Sequence, residues 1–430
     1  MNPTRRTFFR KFAGIAGTLS ISTTLARAAA EDVSDALLNL KKLSPAEAAM
    51  EEEIWNSIRQ AYTVSANIIN LNNGGVSPQP KVVQDAVDRY YHLSNEAPSY
   101  YMWRILDMGR EPVREKLAHL ADCSPEEVAV DRNATEALDT AIFGMRLEKG
   151  DEVILTKQDY PNMINAWKQR EMRDGIVLKW LNLELPENNE DKLVNSYTGA
   201  FTSKTKVVHI TQMINWNGQI IPAKRIVAEA RKRNIISIVD GAHTFAHFYF
   251  SLSEMAPDYF GTSLHKWLCA PFGTGMMYVR KENIADTWPL FPNHEPLSDN
   301  IRKFEGLGTR SFAPEQAIGQ ALDFHNAIGS KRKEERLRFL KNYWCKNVMD
   351  IDRVKLNISL EPHASCALGN FSIDGIDPGD IANKLFSDYK IHTVGIKWEN
   401  INGVRVTPHV YTNLYDLDKL VDAIHTISRS

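Results

Sequence analysis

The chain has 430 residues, 43% of them hydrophobic and 24% charged, with a formal net charge of -2. That length holds two or three domains, or one large domain and a smaller one, and the balanced charge argues against nucleic acid as a partner. Its four cysteines, Cys123, Cys269, Cys345 and Cys366, form no CxxC and no spacing with histidine, so neither a zinc site nor a disulfide framework is expected.

The first 28 residues stand apart. TRRTFFRK (Thr4 to Lys11) precedes a modest apolar run, FAGIAGTLSISTTLA, and then Ala26-Arg27-Ala28, a pattern that resembles a twin-arginine export signal with its cleavage site. The run is too short and too rich in Gly, Ser and Thr to span a bilayer stably. The expectation is an enzyme folded in the cytoplasm, passed to the twin-arginine export machinery and working in the periplasm without a stable membrane anchor. Residues 29–70 read as a polar, helical N-terminal segment packing with a smaller domain; SPAEAAMEEEIW supplies a Ser before Pro at a helix start and acidic residues in the first turns. Next comes LNNGGVSPQP, an irregular loop carrying Asn73 that either turns the chain or lines a site. Helices are expected from about Pro80 to Leu93 and through Arg114 to Leu120, with the aromatic segment YYMWR between them.

From Val128 onward, short apolar strands alternate with amphipathic helices: EVAV, EVILT, IVLKWL, KVVHIT, IISIVD, YFGTS and GMMYVR. Near-continuous apolar strands separated by helices indicate an α/β fold with a largely parallel sheet covered on both faces. Sites in such sheets form where loops leave the carboxyl ends of the strands. Five segments reach those ends. DRNATEAL puts Asn133, Ala134 and Thr135 at a helix start, either a phosphate site or a plain N-cap. Tyr160 follows the next strand and could stack on a planar group or simply pack. Asn215 follows KVVHIT and either hydrogen-bonds a ligand or closes a turn. IISIVD ends on Asp240, with His243 just beyond, and YFGTS leads to Ser263, His265 and Lys266. GLGTRSF adds Gly308 and Thr309 as a second small anion-binding turn. A large domain is expected over residues 71–312. From about Ala313 a long charged helix and three strands, near ALGNFSI, KIHTVGI and GVRVTPHV, give an α+β pattern and a smaller domain at 313–430.

Asp240 and Lys266 carry the chemistry. A carboxylate and an amine at the ends of neighbouring strands suit pyridoxal 5'-phosphate (PLP): the lysine forms the Schiff base, and the acid keeps the pyridine nitrogen protonated. Each alone could be a turn cap or a surface lysine. Lys266, however, lies in the apolar run HKWLCAPFGTGMMYV, where an unused ammonium is costly.

With NATEAL, VDGAH, GTSLHKW, GTRS and GVRVTPHVYT in this order, the chain over residues 70–430 resembles the class V aminotransferases of PLP fold type I, in the style of the isopenicillin N epimerase-like group. The resemblance implies a mostly parallel seven-stranded sheet, a smaller C-terminal domain and a homodimer with a shared active site. Carried over by position, Lys266 is the Schiff-base lysine and Asp240 the pyridine partner, with His243 and Asn215 near the ring oxygen. Ala134, Thr135, Ser263 and His265 hold the phosphate, with Thr309 from the other subunit. Tyr160 stacks on the ring, and Arg405, with Asn73, binds the substrate. Two departures bear on the reaction: Tyr160 stands where the cysteine desulfurase branch has a histidine, and no cysteine lies between Val394 and Arg405, which disfavours sulfur transfer. The expectation is an aminotransferase acting on an amino acid or peptide-like amine, such as a secreted siderophore peptide. The alternatives are an epimerase, a carbon-sulfur lyase, or a ligand-binding protein that keeps the fold.

Overall fold

The computed structural model describes residues 30–429; the expected export signal at 1–28 lies outside them. Seven strands form the large sheet: β2 (Val128–Asp131), β3 (Glu152–Thr156), β4 (Val177–Leu181), β5 (Thr205–Thr211), β6 (Ile236–Asp240), β7 (Tyr259–Ser263) and β8 (Gly275–Val279). Their order is β2-β8-β7-β6-β5-β3-β4. The strands from β7 across to β4 pair in parallel, and β8 runs antiparallel to both β2 and β7. β2, β3, β7 and β8 are buried along their whole length, as apolar runs sandwiched between helices should be. β4 is one of the two edges, and it exposes Val177 and Trp180.

The smaller sheet is antiparallel throughout, ordered β12 (Val394–Trp398), β13 (Ile401–Val406), β10 (Gly369–Ile373) and β9 (Val354–Leu356). Here the expected strand KIHTVGI is broken at Thr393. Its first part, β11 (Ile391–His392), pairs in parallel with β1 (Ile69–Asn70), while the remainder pairs with β13. A two-residue pairing between segments over 300 positions apart leaves no periodic trace in the sequence. It nevertheless docks the loop after β1 against the small sheet, where Gly74 N–H donates to Thr407 Oγ1 at 2.9 Å.

The N-terminal segment is helical at 30–40, Pro45–Met50 and Glu52–Arg59. Ser44 and Glu47 cap the second of these reciprocally, and this segment packs on the long helix Ser330–Val348. There the Arg336 guanidinium donates to Ala49 O at 2.9 Å and lies 5.4 Å from the Trp55 ring centroid. Helix Ala313–Ile328 packs on Lys81–Glu96 and Arg110–Ala121, and its Ala317, Ile318, Ala321 and Leu322 join the large-sheet core. YYMWR forms a wide helical turn, Tyr101–Leu106, closed by Asp107 N–H on Met102 O at 2.9 Å. Among the described residues no helix is long and apolar enough to cross a membrane.

Candidate active site

A cavity of about 520 Å³ opens at the carboxyl ends of the large-sheet strands. Pairing of β6 with β5 and β7 sets Asp240 level with Thr211 and Gly261, and Ser263 ends the neighbouring strand. Of the expected residues, Ala134, Thr135, Tyr160, Asn215, Asp240, His243, Ser263, His265, Lys266 and Arg405 all line this cavity.

Lys266 is the centre of the arrangement. Its Nζ lies 3.1 Å from His243 Nε2, while the Trp267 indole N–H donates to His243 Nδ1 at 3.4 Å. An indole can only donate, so Nδ1 is the acceptor and the imidazole proton sits on Nε2, directed at Lys266. That geometry requires a neutral amine. Burial moves the lysine towards that form, which it reaches above about pH 8: desolvation pulls its pKa down from 10.5 to about 8, opposed by Asp240 and helped by Arg405, and burial likewise holds His243 well below its usual range.

Asp240 accepts from Ala242 N–H at 2.9 Å, and desolvation raises its pKa. A cation placed beside it reverses that shift, so the carboxylate is suited to a protonated ring nitrogen. Across the cavity the Ala134 N–H donates to Ser263 Oγ at 3.0 Å, which leaves the hydroxyl proton free beside the N-terminus of helix Ala134–Gly144, capped by Asn133 on Glu136 N–H. Gly275, opposite on β8, lets the Asn133 backbone come this close, since a Cβ there would stand 2.5 Å from Asn133 N. Together these groups form a cradle for a phosphate.

Arg405 is buried, and among the described residues it has no carboxylate partner. Nη1 donates to Asn215 O at 3.0 Å and Nη2 to Asn72 Oδ1 at 2.8 Å, while Nε, like Asn215 Oδ1, is buried without a partner. Desolvation lowers its pKa to about 10. A buried guanidinium lacking a counter-charge is a carboxylate site.

Two expected residues lie elsewhere. Asn73 is fully buried with its amide engaged by protein: Nδ2 donates to Thr407 O at 2.8 Å and Asn70 O at 3.2 Å, and Oδ1 accepts from Tyr411 Oη at 2.6 Å and Asn70 Nδ2 at 3.1 Å. It closes the loop and does not line the cavity; its neighbours Gly74 and Gly75 do, and Asn72 orients Arg405. Thr309, expected to serve the other subunit, does not line its own cavity. Its neighbours Gly308 and Arg310 border a separate groove with Trp103 and Met108. Sequence reasoning also missed Trp216 in the cavity wall, although WN after Asn215 placed an aromatic beside a residue already singled out.

The chain matches the aminotransferase class-V family model over residues 69–395. It belongs to that family. Isopenicillin N epimerase of Amycolatopsis lactamdurans is 26% identical over 394 residues, spanning 87% of this chain and 99% of that one. A probable cysteine desulfurase of Halalkalibacterium halodurans is 26% identical over 382 residues, spanning 83% of this chain and 92% of that one. Among solved structures, the apo cysteine desulfurase of Thermococcus onnurineus superposes with a TM-score of 0.77 at 20% identity, covering 86% of this chain and 97% of that one. A C-DES mutant with glycine covalently linked to its PLP cofactor gives a TM-score of 0.77 at 19% identity, covering 85% and 98%. The chain is a PLP-dependent enzyme, and its cavity fits that cofactor: a desolvated amine, a buried carboxylate one strand away and a hydroxyl-lined helix N-terminus match a carbonyl, a ring nitrogen and a phosphate.

Proposed function

We propose that this enzyme is an aminotransferase acting on the α-amino group of an amino acid or peptide-like metabolite. Bound PLP supplies the sink for the electron pair left when a bond to the substrate α-carbon breaks. The protein supplies the rest. Arg405, held by Asn72 and the Asn215 carbonyl, fixes the substrate carboxylate. Lys266, its pKa lowered by burial beside His243, takes the α-proton as general base in its neutral form and returns it. Asp240 contributes the negative charge that keeps the ring nitrogen protonated, and the Ser263 and Ala134 cradle fixes the phosphate end.

The observation that carries this reading is the scarcity of other bases. His243 is held neutral behind the lysine, His265, whose Nδ1 donates to Thr274 O at 3.0 Å, is assigned to the phosphate, and none of the four cysteines lines the cavity. A single amine moving a proton on one ring face suits transamination better than epimerisation, which needs access to both faces. The similarity to isopenicillin N epimerases favours epimerisation as the second reading; Tyr160, 41% exposed at the cavity wall, would then be the second acid. Incubation with amino acids and peptides in deuterated water separates them. A keto product with PLP converted to its amine form is expected. Racemisation with α-deuterium and no keto product overturns the assignment, and release of ammonia or sulfide marks a lyase.

The working form is proposed to be a homodimer. Thr309 sits on a loop anchored by Arg310 Nε on Glu315 Oε1 at 2.6 Å, beside Trp103 (54% exposed) and Met108 (69% exposed). Exposed apolar side chains beside a loop that does not serve its own cavity suit a partner whose phosphate Thr309 completes. The double variant Trp103→Glu, Met108→Glu should sediment as a monomer with weakened cofactor affinity. The N-terminal pattern supports export by the twin-arginine route to the periplasm, where a secreted peptide such as a siderophore is the proposed substrate.

A further inference from the structure

Beside the cavity stands a ladder of rings that the chemistry above does not use. Trp216, in the cavity wall, lies near-parallel to Tyr160, with centroids 6.5 Å apart and planes at 27°. On it stacks Trp398, at 5.0 Å and 22°. The two indoles are pinned by consecutive carbonyls of one turn: Trp216 N–H donates to Gln158 O and Trp398 N–H to Lys157 O, each at 2.9 Å. Gln158 is itself buried, and its Nε2 donates to Asn182 Oδ1 and Asn400 Oδ1, both at 2.7 Å. The turn after β3 is thereby tied to the β12–β13 turn, which fixes the ladder between the two sheets.

The ladder leads out of the cavity. Trp398 lines a second groove of about 360 Å³ together with Trp180, Ile164, Lys168 and Pro161, and Pro161 lines the main cavity as well. Trp180 is 36% exposed on the edge strand β4, with the Lys168 ammonium 5.7 Å from its ring centroid. At the inner end, Arg405 donates to the carbonyl of Asn215, the residue before Trp216. A carboxylate anchor, a pinned ring ladder and a groove with indole walls and a charged rim (Lys157, Glu171, Glu399) thus follow one another, joined at Pro161. Rings held in place by hydrogen bonds at their edges present π faces at little entropic cost.

We infer that the groove walled by Trp398 and Trp180 is a subsite for a planar aromatic group carried on the side chain of an extended substrate, whose amino-acid end occupies the main cavity against Arg405. This rests on the proposed action on an α-amino acid. It makes Trp398 and Trp180 specificity-determining residues.

The test uses PLP-loaded enzyme and two probes that share an amino-acid end and a chain, Nε-benzoyl-L-lysine and Nε-acetyl-L-lysine, with dissociation constants from calorimetry. The benzoyl probe should bind the wild type roughly three- to ten-fold more tightly, the range expected for one stacked ring. Trp398→Ala should bring that ratio close to one. Trp180→Ala, on the exposed edge strand, should lower it too and does not depend on the packing between the sheets. Equal binding of the two probes by the wild type overturns the subsite, as does a ratio unchanged in both variants. Absence of binding by either probe, with no exchange of their α-hydrogen in deuterated water, instead overturns the α-amino-acid reading beneath it.

Discussion

Replacing Lys266 with methionine tests the electrostatics on which the site depends, apart from catalysis. Burial lowers this amine from 10.5 to about 8, a difference equivalent to roughly 3 kcal/mol of unfavourable free energy for holding the charged form in the folded protein. Because the folded value lies below the unfolded one, the penalty is fully present below about pH 8, fades as pH rises towards 10.5 and vanishes above it. Lys266→Met apoenzyme should therefore be more stable than wild-type apoenzyme at pH 6.5, by up to about 3 kcal/mol. At high pH the sign reverses, because His243 Nε2–H loses its acceptor, and a stranded buried donor costs about 1–3 kcal/mol. Urea denaturation of both apoproteins at one protein concentration, at pH 6.5, 8 and 9.5, measures the difference directly. A variant less stable than wild type at pH 6.5, or a difference that does not change with pH, would refute the claim that Lys266 is a desolvated amine.

Lys266→Ala should leave the fold intact and abolish turnover and covalent cofactor; activity above a few per cent of wild type rules out its role. Asp240→Asn should still fold and take up PLP, but removing an attraction worth about 4 kcal/mol at about 4 Å should lower kcat at least about 100-fold, and a rate within ten-fold of wild type would show that the carboxylate does not tune the ring. Arg405→Ala should raise KM for α-carboxylate substrates by roughly 10- to 100-fold, the value of two charge-assisted hydrogen bonds, while hardly affecting the corresponding decarboxylated amine; equal losses for both would mean a structural role. For export, Arg5→Lys combined with Arg6→Lys should retain the protein in the cytoplasm, because the receptor reads the arginine pair as an address. Normal periplasmic recovery of that variant, measured by fractionation, would remove the twin-arginine assignment.

The large sheet was legible because its signal is local. Each strand is a short apolar run bounded by turn residues, and each ends at the position where chemistry can occur, so Asp240, Ser263 and Lys266 could be placed on adjacent strand ends from the runs that precede them. The small sheet was less so. β9 is three residues long and partly exposed, and the break at Thr393 arises because β1 competes for the backbone of β11, a tertiary pairing that no window of sequence contains.

Within the site the same division holds, and Asn72 and Asn73 show it most sharply. They are adjacent asparagines in one loop, indistinguishable by composition, and Asn73 was the one expected at the substrate. Docking of β1 beside β11 decides otherwise: it turns Asn73 inward, against Thr407 and Tyr411, and leaves Asn72 facing Arg405. Arg405 could be singled out because a guanidinium in an apolar strand needs an anion wherever the strand goes. Which asparagine orients it depends on a contact 333 positions away. Residue types that are costly to bury announce a site from sequence alone, whereas residues that cost little to bury acquire their roles only from the packing around them. Trp216 and Trp398 belong to the second kind. Nothing in either local sequence sets their rings 5.0 Å apart; that follows from Gln158 and Asn400 joining the two sheets, and the substrate preference proposed for this enzyme is built on that junction.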